Sequence, residues 1–172
     1  MPSTVLPNGL PPGLLDQAWL GEEWTRWLDG LPRLAAEVVE EWQLRPDGRP
    51  MHGFCSLVLP VRTPAGRPAV LKLGLPHDDT AQEHLALRHW DWRGVVELLR
   101  ADPGRRALLL ERLHPEDLHG VDVLEACEIV AGLYARLHVP APASLVTLPS
   151  RVGPWLDGLT SLPRDAPLPR RF

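Results

Sequence analysis

The chain has 172 residues, 44% hydrophobic and 23% charged, the make-up of a soluble globular protein with enough length for one ordinary core or for one lobe and part of another. A formal net charge of -4 gives no basic footprint, which excludes nucleic acid as a partner class, and no apolar run approaches the ~18 residues that a membrane span requires. The opening Met1-Pro2-Ser3-Thr4 shows no signal peptide, and Cys55 and Cys127 are too isolated for a disulfide scaffold or a metal knuckle, so a reduced, cytoplasmic protein is expected.

Residues 1–12 are a proline-rich lead. From about Gly13 to Trp42 the pattern is helical, with a break expected near Gly30-Leu31-Pro32, where Pro32 suits the first turn of a second helix. Trp24, Trp27, Leu28 and Leu31 share one face of the first helix. Five of the seven tryptophans (Trp19, Trp24, Trp27, Trp42 and Trp90) lie in helical stretches or at their edges, a spacing that reads as packing rather than ligand binding. Residues 42–49 read as a short strand running into the turn Pro46-Asp47-Gly48. Residues 54–62 and 68–73 read as antiparallel strands joined at Thr63-Pro64-Ala65-Gly66.

A helix follows over about 79–92, with Asp78 or Asp79 as N-cap. Strands are expected at 95–100 and 106–113, separated by Asp102-Pro103-Gly104. A helix over 121–138 carries Leu124, Cys127, Val130, Ala131, Tyr134 and Leu137 on its apolar side. After Val139 the chain turns proline-rich, with one weak helical stretch around Trp155, and closes on Pro169-Arg170-Arg171-Phe172. The predicted fold class is therefore α+β. A five-stranded antiparallel sheet with one inserted helix is the layout of a protein-kinase-like small lobe, here with helices before it and the first helices of a large lobe after it.

Four features carry chemistry. Lys72 is the only lysine among eighteen basic residues, and a chain otherwise confined to arginine keeps a lysine where a compact ammonium on a flexible stem is needed. It sits in Ala69-Val70-Leu71-Lys72-Leu73, the place of a kinase's phosphate-holding lysine. Glu83, eleven residues on, is the only glutamate of the following helix and stands where a carboxylate would orient that lysine. In Leu108-Leu109-Leu110-Glu111-Arg112-Leu113 a buried strand breaks into charge, as a chain does where it crosses between lobes; there the backbone of Glu111 and Leu113 would read an adenine edge. Last, backbone N–H groups of His52-Gly53-Phe54-Cys55 and the hydroxyl of Ser56 could cover phosphates. Each alone has an ordinary reading as a solvated strand lysine, an exposed glutamate, a strand end or a turn. Their order and spacing together point to a nucleotide-holding lobe.

The segments Val58-Leu59-Pro60-Val61-Arg62, Ala69-Val70-Leu71-Lys72-Leu73, Glu83-His84-Leu85-Ala86-Leu87-Arg88, Leu109-Leu110-Glu111-Arg112-Leu113 and Leu133-Tyr134-Ala135-Arg136-Leu137-His138 resemble the aminoglycoside/hydroxyurea antibiotic-resistance kinases, the streptomycin 6-kinase-like branch of the aminoglycoside phosphotransferases. The resemblance runs from about Leu14 to Phe172. It implies ATP and magnesium as cofactors, a hydroxyl of a small polar antibiotic as acceptor, Lys72 on the nucleotide phosphates with Glu83 paired to it, and adenine contacts from Leu110 to Leu113. It divides the chain into an N-terminal lead with helices (1–41), the small lobe with its connector (42–113), and the start of a truncated large lobe (114–172).

The same resemblance implies a catalytic His-Gly-Asp-Leu-His-x-x-Asn loop and a metal-binding Ile-Asp-Pro, and neither occurs here. Asp117-Leu118-His119-Gly120-Val121-Asp122 mimics the loop but begins four residues after the connector, too soon to lie beneath the phosphates. Asp122 reads instead as a residue near the start of the next helix, favoured there by the helix dipole. No catalytic or metal-binding residue is therefore assigned, and transfer by this chain alone is in doubt. The alternative is a non-catalytic nucleotide- or protein-binding module, with a protein partner on the exposed face of the lobe.

Overall fold

The computed structural model describes residues 5–16 and 21–162 and divides the chain into two compact units, 1–139 and 140–172. Trp19 and the closing residues 169–172 lie outside the described part, and so do the side chains of Asp79 and Trp155.

In the first unit a four-residue helix, α1 (Pro12–Leu15), precedes the 20-residue α2 (Glu22–Glu41). The break expected at Gly30-Leu31-Pro32 does not occur: Pro32 lies inside one continuous helix. An interior proline removes an i→i−4 hydrogen bond and costs about 3 kcal/mol. Against it stand Trp24, Trp27, Leu28, Leu31, Ala35, Val38 and Val39, all buried on one stripe. Each large apolar side chain so buried contributes roughly 1.5–3 kcal/mol, so the stripe outweighs the lost bond.

Trp42 does not begin a strand; it is the C-cap residue of α2, buried, with the Arg100 guanidinium 4.5 Å from its ring centroid. The strand expected over 42–49 is reduced to the stub β1 (Arg45–Pro46), and a second stub, β2 (Met51–His52), follows it. Both pair with one edge of β3 (Ser56–Arg62), β1 at Val61 and Arg62, β2 at Leu57 and Val58. Pro46 and Pro50 have no N–H to give a ladder, which confines pairing to the two ends of that edge.

Next comes β4 (Pro68–Gly74), paired antiparallel to β3 along its whole length, from Ser56 opposite Gly74 to Arg62 opposite Pro68. The helix expected over 79–92 is split at Gln82 into α3 (Asp78–Ala81) and α4 (Glu83–Trp90). It stops at Trp90 because Asp91 and Trp92 adopt left-handed backbone angles, φ 48° and 55°. The last strands are β5 (Leu98–Asp102) and β6 (Ala107–Glu111), joined by a tight turn in which the Asp102 carboxylate accepts from the Arg105 backbone N–H.

The sheet order is β1-β3-β4-β6-β5, with β2 sharing the edge position of β1, so five strand positions are filled with α3 and α4 inserted after the third. This is the architecture read from the sequence. Strand alternation then sorts the side chains. Leu57, Leu59, Val61, Ala69, Leu71, Leu73, Ala107 and Leu109 enter the main core with α2. Leu108 and Leu110 point to the opposite face, where Leu87 of α4 joins them in a smaller core.

After β6 the chain runs to α5 (Val123–Leu137), capped by Asp122, whose carboxylate accepts from the Leu124 and Glu125 N–H groups at 2.9 and 3.4 Å. Asp122 thus stands where the sequence reading put it. The C-terminal end of α5 is tied to α4 by the Trp90 indole N–H, which donates to the Leu137 carbonyl at 3.0 Å. The second unit contains α6 (Leu148–Thr160). Among the described residues no helix is long and apolar enough to cross a membrane.

Pro32→Ala is expected to restore the missing helix bond and raise the stability of the chain by about 1–3 kcal/mol, read as a shift of the urea midpoint with an unchanged slope.

Candidate functional site

Lys72 lies mid-strand in β4, opposite Val58 on one side and Leu108 on the other. Its neighbours Leu71 and Leu73 are fully buried against the α2 side, so the lysine must emerge on the other face. Glu83 is in the first turn of α4, and Leu87, one turn further along that helix, packs on Leu108 and Leu110. The result is a Lys72 Nζ to Glu83 Oε1 contact of 2.5 Å, with the side chains 27% and 29% exposed. A pair this open contributes about 0–1 kcal/mol to stability. Its consequence is positional: a carboxylate fixes the ammonium on the open face while leaving hydrogens of the ammonium for a further anion.

The surroundings suit a flat apolar group beside that charge. Val58 and Val70 are partly covered on the same face, next to Leu108 and Leu110. Ser56 shares this face by alternation, one pair along from Val58 and Lys72, and is buried. Its carbonyl accepts from Gly53 N–H at 2.9 Å, and a Cβ at Gly53 would lie 2.8 Å from Ser56 Oγ, so a larger residue there would displace the hydroxyl.

The connector residues divide. Glu111 is held: its Oε1 accepts from the Glu97 N–H at 2.8 Å, and its own N–H donates to the Glu97 carbonyl at 3.0 Å. The side chain of Glu111 is therefore a fastening for the start of β5. Leu113 is 63% exposed, and neither of its backbone groups has an intramolecular hydrogen-bond partner among the described residues. The structure thus brings Lys72 and Glu83 into contact and puts Ser56 on their face. Glu111 and Leu113 lie at the strand's far end, beyond Val70, which pairs with Leu110.

Arg112 was missed as a functional position. Its Nε donates to the Ala69 carbonyl at 3.2 Å, one terminal nitrogen to the Val61 carbonyl at 2.8 Å, and the other to Asp47 Oδ2 at 3.0 Å. One guanidinium thereby joins the connector to β4, to β3 and to the loop between β1 and β2. Arg62 adds a second contact to Asp47 at 3.1 Å. Burial raises the Asp47 carboxyl, but the bonds from Arg112 and Arg62 lower it further, and the net position is below the usual carboxylate range. The only sequence signal was an arginine directly after a buried strand, which does not say what it reaches.

His84, beside Glu83, is buried, and its imidazole is pushed below the usual range by burial first and then by the Arg88 and Arg106 guanidinium groups. Asp117 accepts from the His119 N–H at 2.9 Å and Asp122 caps α5, so both carboxylates of the loop-like stretch serve as local caps. Among the described residues no three His, Cys, Asp or Glu side chains gather as a metal site.

An antiparallel sheet of five positions, with a lysine on its open face paired to a glutamate of the single inserted helix, defines a kinase-like small lobe. The chain belongs to the aminoglycoside/hydroxyurea antibiotic resistance kinase family, whose sequence profile matches residues 41–165. It is 43% identical over 140 residues to a streptomycin 6-kinase of Streptomyces glaucescens, covering 80% of this chain and 46% of that one. It is 47% identical over 124 residues to a hydroxyurea phosphotransferase of Kitasatospora aureofaciens, covering 69% and 36%. A streptomycin 6-kinase of Streptomyces griseus is 41% identical over 144 residues, covering 82% and 47%. The chain therefore spans about half the length of these relatives, or less. No solved structure matches it.

Two measurements follow from this geometry. Arg112→Ala is expected to cost about 2–3 kcal/mol in chemical denaturation, and Arg112→Lys to recover little of it, because one ammonium cannot reach three acceptors in one plane. For His84, the unfolded chain takes up a proton near pH 6.5, before the folded one does. Stability from this group is therefore complete above about pH 6.5 and falls as the pH drops below it. A melting profile from about pH 7 to pH 5 should slope accordingly and flatten in His84→Gln, whereas native carboxylates act nearer pH 4.

Proposed function

We propose that this chain is the nucleotide-holding half of an ATP-dependent phosphotransferase acting on a hydroxyl of a small polar antibiotic of the streptomycin or hydroxyurea type. The observation that carries the reading is the Lys72–Glu83 contact at 2.5 Å on the open sheet face, beside Val58, Val70, Leu108 and Leu110. The family membership and the relatives' names support the substrate class. The ammonium of Lys72 would bind the α- and β-phosphates, with Glu83 holding it against them. Ser56 and the Gly53 turn would lie over the phosphates, and the exposed backbone of Leu113, with that of Glu111, would meet the adenine edge.

ATP supplies the phosphoryl group when bound, and magnesium neutralises the charge on it. The residues on this face fit the nucleotide. They do not supply the metal's ligands, which by the family resemblance belong to the large lobe, as does the aspartate that orients the acceptor. Residues 42–113 are read as the nucleotide-holding lobe with its connector, and 114–172 as the lead into the large lobe. Binding and transfer are thus separable here, since one ammonium can hold phosphates but cannot place a hydroxyl in line with them.

A second reading has an observation in its favour. No side chain of α5 is buried, and Val123, Leu124 and Tyr134 stand exposed on it. A non-catalytic module that binds a nucleotide, or a protein partner through this face, would present such a surface.

ATP with magnesium is expected to raise the melting temperature of the pure 172-residue chain, and Lys72→Ala to weaken that binding about tenfold or more with little loss of fold stability. Phosphate transfer to streptomycin by the same preparation is expected to be absent. Failure of ATP to stabilise the chain would remove the nucleotide reading. Measurable transfer would remove the claim that the catalytic groups lie elsewhere.

A further inference from the structure

At the opposite end of α4 from Glu83 the fold opens another cleft, of about 470 Å³, a size that takes a small molecule. His89 and Trp90 of α4, Trp92 and Arg93 of the following turn, and Arg136 in the last turn of α5 line it. Its walls hold unmatched groups. Among the described residues Arg93 and Arg136 meet no carboxylate, a state they share with Arg26, Arg45, Arg49, Arg88 and Arg106, whereas Arg33, Arg62, Arg67, Arg100, Arg105 and Arg112 each hold at least one. Arg93 donates from Nε to the Trp90 carbonyl at 3.3 Å, which leaves its two terminal nitrogens. His89 Nε2 is buried with no hydrogen-bond partner and is shut off from solvent, so it offers an entering ligand no donor.

The aromatic part is equally specific. Trp92 is 68% exposed and has a φ of 55°, a conformation that a bulky residue adopts only where its surroundings impose it. Trp90 has its indole N–H committed to the Leu137 carbonyl, so it offers the cleft a ring and no donor. Two guanidinium groups and a presented indole form a complementary set: cations for an oxyanion, and a flat surface for a ring.

We propose that this cleft is a ligand site separate from the nucleotide face, and that it takes a small planar molecule bearing an oxyanion, phosphate or carboxylate. The guanidinium groups of Arg93 and Arg136 grip the oxyanion, and the ring lies on Trp92.

The test is a titration of the full isotope-labelled chain with phenyl phosphate, benzoate and inorganic phosphate, followed on the indole N–H resonances. The Trp90 and Trp92 signals are expected to move, the latter assigned by its loss in Trp92→Phe, and the better of phenyl phosphate and benzoate names the oxyanion. Both arginines are exposed, so Arg93→Gln with Arg136→Gln leaves the fold intact and should weaken binding about tenfold. Lys72→Ala should leave it unchanged. Trp92→Ala should erase the preference for phenyl phosphate over inorganic phosphate. The proposal is overturned if none of the three ligands moves these signals, if the double arginine variant binds as well as the parent, or if the response disappears in Lys72→Ala. A ring preference that survives Trp92→Ala overturns the stacking role.

Discussion

The contact between Lys72 and Glu83 depends on β4 being buried on one side and half open on the other. The α2 stripe takes Leu57, Leu59, Val61, Ala69, Leu71 and Leu73, which leaves the alternate residues no choice of face. A slip of one residue in the pairing of β3 with β4 would drive the ammonium into the α2 core and bring Leu71 out to solvent. The long N-terminal helix is thus the reason the lysine's direction is fixed, although it lies on the other side of the sheet. Glu83 depends in the same way on Leu87, whose packing on Leu108 and Leu110 seats α4 over β6. Apolar burial on both faces supplies the energy, and the ion pair is what that burial positions.

Arg112 closes the same sheet at its other end. Strand pairing stops at Glu111, and beyond that point the connector would have nothing to hold it. The guanidinium reaches back to Ala69, Val61 and Asp47 and so extends the order of the sheet by one residue. It also anchors the loop between β1 and β2 through Asp47. Leu113, the next residue, is free of the clamp and open to solvent. The boundary between fixed and available backbone therefore falls between two adjacent side chains.

The parts of this arrangement that could be read from the sequence are those encoded by short-range pattern. The lysine of Ala69-Val70-Leu71-Lys72-Leu73 and the glutamate of the next helix stand in the order and spacing of a kinase lobe, and that resemblance was enough to pair the two residues. Asp122 was legible as a helix start from local pattern. The continuity of α2 was not, because the cost of Pro32 is local while the burial that offsets it comes from strands found far along the chain. The reduction of 42–49 to the stub at Arg45–Pro46 was not legible either, because it depends on which edge of β3 the segment meets. Arg112 was illegible as a clamp because its partners lie 65 and 51 residues away, at Asp47 and Val61. No periodicity reports a contact of that kind.

The split between arginine and lysine in this chain has a physical basis in these contacts. Arg112 meets three acceptors spread across two strands and a loop, and only a planar fork with fixed donors can satisfy them together. Arg105 does the same between Glu41 and Asp102, tying the end of α2 to the turn before β6. Such sites gain from rigidity. The place of Lys72 is different, because its present partner is a single carboxylate oxygen and its proposed one is a phosphate that arrives and leaves. A compact ammonium on a flexible stem can follow that exchange while keeping Glu83 within reach, whereas a guanidinium forked onto Glu83 would bind the carboxylate in two places and yield it less readily. The single lysine thus stands where a charge can be shared, and Arg105 and Arg112 stand where charges stay put.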